Sequence, residues 1–179
     1  MVKYQKLDEY RVMSLWVDEM PEDGIVSAHT IIKEYDANAN INWFNGILCL
    51  ELRLAPRVAS NYAMINIKFT KNQSSTFKII YHLIDLNKVV KSDIAMPNDV
   101  VKTGIPKEYT PAFKQVFDEL ETRNVLPSGT LEILGGRYSH IGSSIMAFKI
   151  VLKILIKLLE QNEKLIDANI NSIILDGCK

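Results

Sequence analysis

An excess of positive charge is missing from this chain: 21 lysines and arginines balance 21 aspartates and glutamates, for a formal charge of zero. Dedicated nucleic-acid binders usually carry a strong basic excess, so any RNA contact here has to come from a local patch. Cysteine is scarce as well. Cys49 and Cys178 have no metal-ligand spacing and make no disulfide framework, which fits a reducing compartment. The first residues, Met1-Val2-Lys3-Tyr4-Gln5-Lys6-Leu7-Asp8-Glu9, hold acids where a secretory signal needs an apolar core. No long apolar run is uninterrupted either, since Lys149, Lys153 and Lys157 break the most apolar segment, Ile145 to Leu159, and exclude an ordinary membrane span. A soluble cytoplasmic protein is therefore expected. A glycine-rich phosphate loop ending in Gly-Lys-Ser/Thr is also absent. The nearest glycine pair, Gly135-Gly136, lacks the lysine, so the chain is expected neither to bind nor to hydrolyse GTP, and to be no enzyme of that kind. No cofactor or metal is implied. There is no internal repeat and no low-complexity tract.

What is present suits one packed domain: 179 residues, 47% of them apolar, enough for a core and too many for disorder. Residues 1–24 read as a helical or extended appendage. Leu7, Tyr10, Met13, Val17 and Met20 fall near helical spacing, although Val12 to Val17 also suits a short strand. A single domain then spans 25–179. Ile25 to Asp36 is rich in β-branched and aromatic residues and reads as a strand; the Asn45-Gly46 pair that follows is a hairpin signal. Gly46 to Leu54 is a strand with two apolar faces, hence central or covered. Ala63 to Thr70 alternates, Lys71 to Ser75 is a polar hairpin loop, and Thr76 to Leu86 is a further strand antiparallel to the one before it. Asn87 to Gly104 shows no period.

The most informative stretch is Ile105 to Leu159, one helix, strand, helix unit. Thr110 can cap the first helix with Pro111 at its first position, and Phe113, Val116, Phe117 and Leu120 give it a single apolar face. Thr130 to Leu134 alternates as a strand, Gly135-Gly136 ends or bulges it, and Arg137 to Gly142 forms an exposed polar corner. A second helix begins at Ser143 or Ser144 and runs to about Glu163. Ala168 to Leu175 reads as a last edge strand. Strands followed by helix, strand, helix predict an α+β fold: a two-layer, mostly antiparallel sheet with two helices on one face.

Ile105-Pro106-Lys107-Glu108-Tyr109 with Pro111-Ala112, Val125-Leu126, the turn Gly136-x-Tyr138 and the run Ser143-Ser144-x-Met146-Ala147-Phe148-Lys149-Ile150 together resemble domain IV of translation elongation factor G, in the same order. The match covers residues of about 104–164. The resemblance implies a β-β-β-α-β-α core with a left-handed crossover, a role in translation, and a tip that enters the ribosomal decoding site. In the family the tip histidine follows the tyrosine directly; here Ser139 intervenes before His140.

The residues of the corner suit recognition on their own terms. Arg137 can fork onto phosphate, Tyr138 and His140 can stack on bases, and Ser143 and Ser144 open a helix whose N–H groups favour anions. Ser139 completes the corner. A hydrolytic reading of the serine and histidine lacks an orienting acid. Asn42, Trp43 and Phe44 in the Asn38 to Asn45 loop form a second candidate surface, for bases or for a protein. The lysines at 149, 153 and 157 can follow an RNA backbone or simply be the solvated face of a helix. His29 and His82 read as ordinary strand histidines. Two functions follow: a non-enzymatic module binding the ribosome or ribosomal RNA, or a protein-interaction module that keeps the fold without that task.

Overall fold

The computed structural model describes residues 2–21, 29–54, 61–83, 88–165 and 169–178. In chain order these form strands β1 (Val2–Lys6), β2 (Arg11–Val17), β3 (His29–Asp36), β4 (Gly46–Leu54), β5 (Asn61–Lys71), β6 (Thr76–Leu83), β7 (Val89–Val90) and β8 (Val101–Thr103). Helix α1 (Thr110–Thr122), strand β9 (Gly129–Ser139) and helices α2 (Ile145–Leu159) and α3 (Ile170–Gly177) follow. The fold is α+β: a mostly antiparallel mixed sheet in the order β1-β2-β4-β5-β9-β6-β3, with β7 and β8 added beside β9, and three helices rather than two.

Alternation along β4 sets the layers. Leu48, Leu50 and Leu52 face the helices and are buried, while Cys49 and Glu51 are buried on the opposite side. The helix side is one apolar cluster in which Phe113, Val116, Phe117 and Leu120 of α1 meet Phe148, Leu152 and Leu155 of α2 and Ile65, Ile67 and Phe69 of β5. On the other side Val12 and Tyr62 are covered by Ile94 and Val101. The segment from 88 to 104, read as irregular, thus supplies a lid and two short strands.

β9 is the axis of the sheet. It pairs along its length with β5, and on its other side with β6 over residues 129–133 and with β8 over residues 137–139. Its partner changes at the two glycines. Asn66 faces Gly135 and Ile67 faces Ile133, so Leu134 is an extra residue in a bulge, and Gly135 has φ 139°. Gly135-Gly136 therefore bulges the strand without ending it.

Several sequence expectations change. The N-terminal segment is a β-hairpin: Met13, Leu15 and Val17 alternate into the core, and β2 pairs with β4 from Arg11 to Val17. A period of two prevailed over the near-helical spacing because β4 needs a backbone partner there. Asn45-Gly46 closes no hairpin, since β3 pairs with β6 at the far side of the sheet. β5 and β6 are not partners, because β9 lies between them. Of the strand expected at Ile25 to Asp36, residues 25–28 lie outside the described residues, as do 84–86 of the one expected at Thr76 to Leu86. Thr110 does not cap α1; its hydroxyl donates to the Lys107 carbonyl at 2.7 Å and Tyr109 holds the cap position. The C-terminal segment is helix α3, where Asn169 accepts from the Ser172 N–H at 3.2 Å. That cap, worth about 1 kcal/mol, stands where a strand was expected.

Candidate interaction surface at the corner between β9 and α2

Ser139 and Ser143 build the corner by hydrogen-bonding one another. The Ser139 Oγ accepts from the Gly142 N–H at 2.9 Å, and the Ser143 Oγ accepts from the Ser139 N–H at 2.8 Å. The Ser143 hydroxyl then donates to the Tyr62 carbonyl at 2.6 Å, and the Tyr62 N–H donates to the Gly142 carbonyl at 3.1 Å. These bonds fasten the corner to the start of β5. Ser144 caps α2 by accepting from the Ala147 N–H at 3.1 Å.

Strand alternation turns Arg137 and Tyr138 inward, against the expectation of an exposed polar corner. Arg137 is 8% exposed, Tyr138 9% and Ser139 0%. Arg137 lies on the face away from the helices, 3.6 Å from the Glu51 carboxylate. Glu51 also accepts from the Tyr62 hydroxyl at 2.5 Å and from Ser92 at 2.7 Å. Burial, and then the Glu51 charge, push the Tyr62 phenol well above its ordinary range. Tyr138 turns to the helix side, 6.4 Å from the ring of Tyr109, which stacks on Phe148 at 4.6 Å. Its phenol is pushed up by burial and then by Glu108. Neither ring nor guanidinium is presented for stacking on a base.

What the corner does present is apolar. His140 is exposed, its N–H donating to the Val100 carbonyl at 3.1 Å. Beside it Ile141 is 77% exposed, and Ile145 and Met146 of the first turn of α2 and Val100 are exposed as well. Apolar residues so gathered mark contact surfaces when they adjoin. The sequence carried this signal in Ile141, Ile145 and Met146, which polar neighbours obscured.

The second candidate surface loses its tryptophan to the interior. The chain from 37 to 45 crosses from one edge of the sheet toward the other, and the Phe44 N–H donates to the Leu159 carbonyl at 2.7 Å. Trp43 is buried with its ring 5.6 Å from Phe69 and 5.5 Å from Phe77. Its indole N–H has no hydrogen-bond partner among the described residues, a cost that packing against two aromatic rings has to outweigh. Phe44 is half-buried, while Asn42 stays exposed, as Asn40 and Asn45 do, and accepts from the Lys71 ammonium.

The lysine row is partly spoken for. Lys149 and Lys153 lie 3.2 and 2.7 Å from Glu119 of α1, whose carboxyl they hold below its ordinary range, Lys153 first. His82 faces Glu132 at 3.3 Å on the sheet. Among the described residues no three His, Cys, Asp or Glu side chains gather for a metal, and no helix is long and apolar enough to cross a membrane. The buried Glu51 and its partners were missed in the sequence, although a glutamate between leucines on a strand with two apolar faces was the available sign. No protein-family model, no curated protein and no solved structure matches this chain.

Proposed function

We propose that this chain is a non-enzymatic protein-interaction module whose contact surface is the apolar corner formed by Val100, Ile141, Ile145 and Met146 around His140. The single observation that carries this reading is Ile141, left 77% exposed at the tip of a turn that six hydrogen bonds hold in place. A rigid apolar tip loses little conformational freedom on binding. The ribosomal reading depends on a cation at this corner, and the Arg137 guanidinium is engaged with Glu51 instead. Kinship with elongation factor G domain IV belongs to the same proposal. The quoted motifs support it, and so does the order β4, β5, β6, α1, β9, α2, apart from the two short strands.

A photo-crosslinking residue in place of Ile141 tests the reading in cells. The expected adducts keep their size after ribonuclease, form as well at high salt as at low salt when the irradiation is repeated in lysate, and disappear when Met146→Asp is added. Ribonuclease-sensitive adducts that fade as salt rises would return the corner to RNA.

A further inference from the structure

We infer that two copies of this protein pair through β3, antiparallel about a two-fold axis, so that one sheet runs through both chains. β3 is the outermost strand at its end of the sheet, and among the described residues it pairs only with β6. Exposed edges are normally blunted by proline, by a bulge or by brevity. β3 has none of these, and the charges it carries, Lys33, Glu34 and Asp36, restrict which strand can pair with it and in which register. Its register with β6 is unbroken from His29 to Asp36, and no proline occurs in it. Ile32 is 54% exposed and Ile31 38%.

The sequence of β3 selects a second copy as the occupant. Ile31, Lys33 and Tyr35 stand on the helix side, as their partners Tyr81, Ile79 and Phe77 do; Thr30, Ile32 and Glu34 stand on the other, where Glu34 lies 3.4 Å from Lys78. A two-fold axis normal to the sheet keeps both sets of helices on one side, so it can oppose only residues of the same parity. Centring that axis on Lys33 or on Glu34 sets like charges opposite one another, which destabilises a strand pair. Centring it on Ile32 places Ile32 on its symmetry mate, Ile31 on Lys33 and Thr30 on Glu34, with backbone paired from residue 29 to Tyr35. The half-buried Ile80 beside each Ile32 then extends the contact into an apolar row across the junction. Joining β3 to β1 of another copy is heterologous and would propagate into filaments; the self-complementary register closes at two.

The test uses the full chain with Cys178→Ser. Sedimentation equilibrium is expected to give twice the monomer mass, reverting to the monomer mass in Ile32→Lys with an unchanged circular dichroism spectrum. Under mild oxidation Ile32→Cys is expected to form a covalent dimer, whereas Glu34→Cys, on the same face but off the axis, is not. A monomer mass throughout the micromolar to millimolar range, oligomers that keep growing with concentration, or equal crosslinking at both positions overturns the proposal.

Discussion

Arg137 and Glu51 reach one another across Met64: the three residues are opposed in one row over β9, β5 and β4, and the two charges meet 3.6 Å apart beyond the intervening strand. Both side chains are nearly sealed from solvent, so each depends on the other. Breaking such a pair from one side strands the remaining charge and costs about 3–5 kcal/mol. Arg137→Met is expected to lose stability in that range by urea denaturation. Adding Glu51→Gln should recover part of the loss, and a double-mutant cycle reads the coupling.

Of Gly46, Gly129, Gly136 and Gly177, Gly136 leaves the least room for a side chain. A Cβ there would stand 1.9 Å from the Met64 carbonyl oxygen, a backbone atom fixed by the pairing of β5 with β9. Gly136→Ala is expected to destabilise by about 3 kcal/mol or more. Thermal melting should show it, and amide exchange should rise along β5 and β9 before the rest of the sheet.

Cys49 is fully buried, and burial pushes its thiol up to about 12 from the ordinary 9.0, opposed only weakly by Arg137. A raised acid keeps its proton in the folded state after the unfolded chain has lost it. The stability this contributes is present below pH 9 and falls as pH rises toward the folded value, by about 1.4 kcal/mol per pH unit. Denaturation followed from pH 8 to 11 should show that decline, and Cys49→Ala should make it less steep between pH 9 and 10, with the raised Cys178 thiol and the buried tyrosines accounting for what remains. A thiol reagent at neutral pH should leave Cys49 unmodified until the protein unfolds.

Glu119 works in the opposite sense. Lys153 and Lys149 lower its carboxyl, so the stability it adds is present above the unfolded value near 4.5 and is lost as pH falls through the lower folded one. Its side chain is half exposed, and solvent screening keeps the contribution under about 1 kcal/mol. Carboxyl NMR titration should place Glu119 below an ordinary glutamate at low salt, and Lys153→Met should move it back more than Lys149→Met does.

Periodicity alone located β4, most of β5 and β6, and the inward face of α1, because Leu48-Leu50-Leu52 and Phe113-Val116-Phe117-Leu120 are local patterns that water sorts the same way in any context. It misjudged the ends. The N-terminal residues hold both a helical spacing and a strand alternation, and the open edge of β4 decided between them. Pairing was equally out of reach: the polar loop at Lys71 to Ser75 looks the same whether its strands touch or, as here, admit β9 between them.

The candidate site shows the same division. Sequence determined that a helix would start at Ser143 or Ser144, since a serine cap bonds to backbone only three residues on, as Ser144 does with the Ala147 N–H. Which side chains that turn presents was decided by tertiary structure. Β9 continues through the glycines to Ser139, so strand alternation sends Arg137 to Glu51 and Tyr138 to Tyr109, and leaves Ile141 in water. Exposure depends on the partner that arrives from elsewhere in the chain, and no local pattern contains that partner.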